Sequence, residues 1–129
     1  MLVAGLVLAA VGALVHVYVF VLESIGWQGP RARAVFGTSV ETARITAPLA
    51  LNQGFYNLFL TIEVVVGILL VAGGATAAGY TAVLIGTGSM VAAGVVLVVS
   101  DRAKARAALI QAAAPLLAVL LLVIGLVTA

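Results

Sequence analysis

The chain has 129 residues, of which 65% are hydrophobic and 8% are charged, and its mean hydropathy is +1.36. Soluble domains carry roughly 25% charged residues, so this composition excludes them and predicts an integral membrane protein in a lipid bilayer. Six Lys and Arg against four Asp and Glu give a net charge of +2. We interpret this small excess of cations as a signal of orientation in the membrane, and we expect no nucleic-acid partner. The absence of cysteine excludes disulfides, thiolate metal sites and cysteine nucleophiles.

Four apolar stretches reach the length of about 20 residues that a membrane-spanning helix needs. They predict an all-α fold, a single domain over residues 1–129 built as an up-down-up-down four-helix bundle, with helices at about 2–24, 48–71, 80–99 and 107–127. Barrel strands would alternate in polarity over about 10 residues, which these stretches do not. The first stretch has no basic region before it and no cleavage pattern after it, so we expect it to remain in the mature protein.

The cations predict the orientation of the bundle. All six lie between the first and second helices or between the third and fourth, and the turn at 73–79 has none. Because cytoplasmic loops are enriched in Lys and Arg, we expect both basic loops in the cytoplasm and both termini on the outer side.

The first loop shows helix signals of its own. Thr38-x-x-Glu41 has the pattern of a capping box and predicts a helix that leads into the second span. Pro48 either begins that span or kinks one continuous helix. Trp27, just after the first span, suits the aromatic belt at the membrane interface.

A polar cluster opens the second span, and in a membrane helix such a cluster indicates a function or a specific contact. At helical spacing its members form two adjacent rows that we interpret as one hydrogen-bonding face: Asn52, Gln53, Tyr56 and Asn57. The first span offers a matching polar side, since His16 and Glu23 are seven residues apart, about 10 Å along a helix.

The polar residues define a candidate site in the cytoplasmic half. We assign His16 as a proton carrier and Glu23 as its orienter or acid. With one histidine and no cysteine, we expect no metal and no cofactor. The site predicts a cavity lined by His16, Tyr56, Asn57 and Gln111 and open toward the basic loops. The ligand-binding residues are Asn52, Gln53, Tyr56, Asn57 and Gln111.

These residues also have a purely structural interpretation. His16 is compatible with a hydrogen-bonded structural role, Glu23 with an ion pair to Arg31, and the amides with contacts that hold helices together. Glu63 lies past the midplane of the second span, where an ionised carboxylate would cost several kcal/mol unless paired. A neutral Glu63 is the default, and a proton or cation step is the alternative.

The chain resembles the small bacterial membrane proteins grouped as domain of unknown function 1304. The resemblance covers nearly the whole chain, and its most specific motif is Asn52-Gln53-Gly54-x-Tyr56-Asn57. It implies a four-helix bacterial inner (plasma) membrane protein without an assigned activity, and Glu63 departs from the family pattern. The remaining matching residues are His16-x-Tyr18, Leu22-Glu23, Trp27, Pro30-Arg31, Val35-Phe36-Gly37, Gln111 and Pro115.

Three functions remain open from the sequence, and it does not settle whether the protein is an enzyme. The first is that the cavity is a pocket that binds or transforms a small lipid-like or amphipathic molecule. This function is favoured over transport because most of the helices lack a continuous polar stripe. Alternatively, the cluster is half of a transport or proton pathway through Glu63, in a homodimer formed by the glycine-lined third helix. The third alternative is a structural subunit of a membrane complex.

Overall fold

The computed structural model describes all of residues 1–129 and consists of helices and short connections, without strands. Five α-helices are numbered in chain order: α1 (Leu2–Phe20), α2 (Pro30–Phe36), α3 (Val40–Ala72), α4 (Thr76–Ser100) and α5 (Ala105–Val127). A turn of π-helix, Val21–Ile25, continues α1, and a turn of 3-10 helix, Arg102–Lys104, precedes α5. Four segments are long and apolar enough to cross a membrane: Leu2–Ile25, Val40–Ala72, Thr76–Ser100 and Arg102–Val127. The all-α four-helix membrane bundle predicted from the sequence is confirmed.

The four long helices form a ring in which each packs on two neighbours. α1 lies between α3 and α5, α4 lies between the same two helices, and α1 and α4 face each other across the diagonal. All six Lys and Arg side chains belong to one end, which also holds α2 and is called the basic end. The opposite end holds both termini and the turn at Gly73 and Gly74, where Gly74 has φ 89°.

The second span begins earlier than its hydrophobicity predicts. Ser39, one residue after the predicted cap Thr38, is the N-cap of α3, and its Oγ accepts from the Thr42 N–H at 3.1 Å. Pro48 lies inside the continuous helix, because proline removes only one backbone donor and its neighbours can keep the helical path. At 1.5 Å per residue α3 is about 50 Å long, so its first turns extend beyond a hydrocarbon core of about 30 Å.

Glycines set the distances between the long helices. A Cβ added to Gly12 would lie 2.9 Å from Pro115 Cγ on α5, and one added to Gly67 would lie 2.8 Å from the Val83 backbone nitrogen on α4. Small residues allow close approach in membrane bundles, where dispersion and hydrogen bonds hold helices together. A buried apolar cluster fills the bundle away from the basic end: Ala9, Ala13, Val64, Val83, Met90, Ala118 and Leu122.

Candidate functional site

The π-helical turn places Glu23 against α3. The turn is closed by the Gly26 N–H, which donates to the Val21 carbonyl at 2.9 Å. Opposite it lies Gly54, where an added Cβ would be 3.0 Å from the Ser24 nitrogen and 3.1 Å from the Glu23 Cβ. The Ser24 hydroxyl donates to the Leu51 carbonyl at 3.0 Å. Single π turns often occur at functional sites, and this one rests directly on the backbone of α3.

Glu23 and Asn57 are the centre of the polar contact between α1 and α3. Asn57 Nδ2 donates to Glu23 Oε2 at 2.7 Å and to the Gln53 carbonyl at 3.2 Å. Both side chains are buried. One helical turn further along α3, the Thr61 hydroxyl reaches the carbonyls of Ala13 at 3.2 Å and Asn57 at 3.1 Å. The predicted encounter between the first two spans therefore occurs through Asn57.

A cavity of about 210 Å³ adjoins this contact at the basic end. We call it the inner cavity. The side-chain amides of Gln53 and Gln111 make no hydrogen bond within the chain, and neither does Glu23 Oε1. The cavity therefore presents donors and acceptors that have no partner within the chain and that are accessible, since no fully buried side-chain nitrogen or oxygen lacks a hydrogen bond. Its lining residues come from α3, α4 and α5, from α2, from the π-helical turn and from the connections: Glu23, Trp27, Phe36, Gln53, Asn57, Ala93, Leu97, Lys104 and Gln111.

A second depression of about 240 Å³, the outer groove, lies beside the inner cavity. It is lined by a row of hydroxyls at helical spacing and by apolar residues of α3: Thr38, Thr42, Thr46, Leu49 and Ala50. The two spaces share three residues, Trp27, Gln53 and Lys104. The outer groove thus adjoins the inner cavity across these shared side chains.

Hydrogen bonds hold two of the shared side chains in place. Trp27 Nε1 donates to the Thr46 hydroxyl at 3.1 Å, and its ring lies 5.3 Å from that of Phe36. Lys104 Nζ donates to the Phe36 carbonyl at 3.1 Å, at the end of α2. Trp27 is half-buried and packs against α2 and α3, and an interfacial role for it stays a prediction. The sequence signalled neither contact, because 68 residues separate Lys104 from Phe36.

His16 lies apart from this site. It is buried, and its Nδ1 donates to the Gly12 carbonyl on the same helix at 2.9 Å. It does not line the inner cavity and makes no hydrogen bond to Glu23 or to α3. The predicted contact is absent because a carbonyl four residues earlier pairs with Nδ1, while Asn57 pairs with Glu23. The assignment of His16 as a proton carrier stays a prediction that this geometry does not support.

Asn52 and Tyr56 also lie outside the cavity, contrary to expectation. Both are exposed, Tyr56 by 62%, and neither side chain makes a hydrogen bond. Each precedes a cavity residue by one position, so it lies about 100° further round α3 than Gln53 or Asn57. The two rows therefore face different surroundings: exposed Gln53 and buried Asn57 line the inner cavity, and Asn52 and Tyr56 do not.

The charged residues near the site have other partners than predicted. Arg31 does not pair with Glu23, because its Nε donates to the Tyr18 hydroxyl at 2.7 Å. This hydrogen bond raises the pKa of Arg31. Glu63 is half-buried on α3 and makes no hydrogen bond or ion pair. No group of three or more His, Cys, Asp or Glu side chains is placed to hold a metal ion.

Comparison with known proteins gives one match. A family model described as "Protein of unknown function (DUF1304)" matches residues 10–123. No curated protein and no solved structure matches the chain.

Proposed function

The chain belongs to the DUF1304 family of proteins of unknown function, and we propose that it is a membrane protein whose inner cavity binds the polar end of a small amphipathic molecule. One observation carries this proposal. The inner cavity places a carboxyl group, an ammonium group and three amides around one space within a membrane bundle. Several of these polar groups are accessible and have no partner within the chain, and a bound polar group would pair with them.

The volume limits what can bind. At about 30 Å³ per water, 210 Å³ corresponds to roughly seven waters, which is below the 300–1,000 Å³ typical of sites for drug-sized ligands. The inner cavity therefore suits a small head group. The rest of the molecule would extend along the outer groove, where Leu49 and Ala50 offer apolar surface.

The lining chemistry selects a head group that both donates and accepts hydrogen bonds. Glu23 Oε1 can accept, and Lys104 Nζ keeps two hydrogens beyond the one given to Phe36. The amides of Gln53 and Gln111 can do either. A zwitterionic or amide-like group, which both donates and accepts, matches this set better than a purely anionic one, which only accepts hydrogen bonds. The expected attraction of an anionic head group by Arg31 or Arg33 has less support, since neither lines the cavity.

The distribution of charge supports an orientation. We infer that the basic end faces the cytoplasm and both termini face the outer side of a bacterial inner membrane. All six Lys and Arg residues belong to the basic end and none to the opposite end, as the positive-inside rule requires. The inner cavity would then open to the cytoplasm.

A transport pathway has less support. The two polar spaces lie at the basic end, and the buried apolar cluster around Met90 and Leu122 fills the bundle beyond Thr61. Glu63 does not line the inner cavity. A route through the monomer would therefore require that cluster to open.

Chemical labelling tests whether the inner cavity is open. The chain has no cysteine, so Gln111→Cys introduces a single thiol at the cavity wall, and Leu117→Cys on lipid-exposed α5 is the control. We expect methanethiosulfonate ethylammonium to label the thiol at 111 in proteoliposomes and not the thiol at 117. Labelling of neither thiol would contradict an accessible cavity.

Native mass spectrometry then tests occupancy. A small molecule should accompany the wild-type protein and the Asn52→Leu variant, and should be lost from Gln53→Leu. These substitutions affect adjacent residues, of which only Gln53 lines the cavity. Equal retention by both variants, or no bound molecule in any of them, would count against the proposal.

A further inference from the structure

Polar side chains outside the inner cavity mark the outer surface of α3 and α4. We call the set the polar flank: Asn52, Tyr56 and Glu63 on α3 and Ser89 on α4. Each is exposed or half-buried. The side-chain hydrogen bonds of this part of α3 come from Asn57 and Thr61, and the polar flank contributes none. The proposed ligand site uses none of these four side chains.

The polar flank borders the groove between α3 and α4. Gly67, which faces Val83 of α4, is four residues after Glu63 and so about 40° away around α3. Thr61, which faces α1, is about 160° away. On α4, Ser89 lies about 60° from Gly86, which faces α3, and about 140° from Gly94, which faces α5. Glu63 and Ser89 therefore flank the same groove.

Glu63 and Ser89 are also at similar depth. Gly67 meets Val83, and Gly86 meets Val64, so residue 63 is level with residue 87 and within about 3 Å of Ser89 along the axis. Glu63 is nine residues from the end of α3 at Ala72, or about 14 Å, which is close to half the hydrocarbon thickness. Both residues lie near the bilayer midplane.

A carboxyl group at that depth needs a protein partner. Ionisable side chains within membrane spans are costly and almost always face other protein groups or a water-filled cavity. Glu63 is too short and too central to reach either interface. Glu63 is half-buried and makes no hydrogen bond or ion pair in the monomer, so its carboxyl group has no partner there.

We propose that a second copy of this chain covers the polar flank, forming a dimer with its two-fold axis along the membrane normal. In such a dimer α3 of each copy packs on α4 of the other. Glu63 then meets the hydroxyl of the partner subunit's Ser89 at nearly equal depth, and symmetry supplies the reciprocal contact. The other polar groups suit a second copy, since the Asn52 amide and the Tyr56 hydroxyl both donate and accept.

The flank also carries apolar contact area for this partner. The Tyr56 ring lies 6.3 Å from that of Phe59, and Phe59 is 57% exposed. The flank carries an amide, a carboxyl group and two hydroxyls, and because amides and hydroxyls both donate and accept hydrogen bonds, two copies of the flank can pair with each other. A second copy related by a two-fold axis along the membrane normal places its hydroxyl at residue 89 at nearly the depth of Glu63.

Cross-linking in proteoliposomes tests the dimer. Ser89→Cys changes one atom of the side chain and places a thiol in the proposed interface. Val95→Cys, exposed on the α5 side of α4, is the matched control. With a short bismaleimide we expect covalent dimers from the thiol at 89 at least tenfold more abundant than from the thiol at 95. Adding Glu63→Leu to Ser89→Cys should reduce the yield to the level of the control.

Two results would overturn the inference. Equal yields at 89 and 95 at low protein-to-lipid ratio would show random collision. Cross-links from the thiol at 89 to another protein in native membranes, with none in proteoliposomes of the purified chain, would assign the flank to a different partner. Circular dichroism of each variant checks that the helices have formed.

Discussion

Asn57 Nδ2 donates to Glu23 Oε2 across 2.7 Å and so joins α3 to the π-helical turn that ends the first span. The bond connects residues 34 positions apart. It fixes one oxygen of the carboxyl group and leaves the other without a partner in the chain, on a residue that lines the inner cavity. The same contact therefore holds two helices together and orients the proposed binding group.

Replacing Asn57 should destabilise the bundle. Asn57→Ala removes the donor to Glu23, and we expect a loss of about 0.6–2 kcal/mol in unfolding free energy, the range for side-chain hydrogen bonds between membrane helices. The measurement is unfolding in detergent. The control is Asn52→Ala, which removes the same side chain from an exposed position without hydrogen bonds. Equal losses for the two variants would contradict the assigned role of Asn57.

Gly54→Ala should displace the π turn. The added Cβ would lie 3.0 Å from the Ser24 nitrogen and 3.1 Å from the Glu23 Cβ, so the expected cost is about 1–3 kcal/mol for overpacking. Gly88→Ala is the matched control, because its Cβ would meet no atom within 4 Å. Thermal unfolding should show a fall in Tm for the first variant and no fall for the second.

Tyr56→Phe should leave both monomer stability and ligand binding unchanged. The hydroxyl has no partner in the chain and lies outside the inner cavity. This reverses what the sequence motif predicts for Tyr56. Native mass spectrometry and a Tm measurement in detergent check it, and loss of a bound molecule would return Tyr56 to the site.

Lys104→Met should loosen α2. The substitution removes the hydrogen bond from Nζ to the Phe36 carbonyl, so the amides of α2 should exchange hydrogen faster. Arg106→Met removes a cation that makes no hydrogen bond and should leave exchange unchanged. Hydrogen exchange followed by mass spectrometry compares the two variants, and slow exchange in both would show that Lys104 is dispensable for α2.

Reporter fusions test the orientation inferred from charge. A reporter after Ala129 or at Gly74 should be active outside the cytoplasm, and one inserted near Arg33 should be active inside, because the cations all lie at the basic end. The opposite pattern would place the inner cavity on the outer side and contradict the proposed cytoplasmic opening.

The polar motif shows how far the sequence could predict the site. Four polar positions in six residues predicted a polar contact on this part of α3, and Asn57 does meet Glu23 there. The spacing of His16 and Glu23 predicted a polar side of the first span, but His16 pairs within its own helix. Helical periodicity could not predict which of the two rows of the motif lines the cavity. Both rows are compatible with a helix, and they differ only in which neighbouring helix each row meets. The close approach at Gly54 made that choice, since it brings Glu23 to Asn57 and leaves Asn52 and Tyr56 outside.

The sequence by itself determined the class, the number of spans and the basic end, since these depend on summed hydrophobicity and on charge, which are properties of composition and order. The tertiary structure alone decided which polar groups meet. It paired Glu23 with Asn57, paired Nδ1 of His16 within its own helix, and brought Lys104 to Phe36. Such contacts depend on how far each packed helix is rotated about its axis and how deep it lies in the membrane. The hydrophobic pattern of the sequence defines neither.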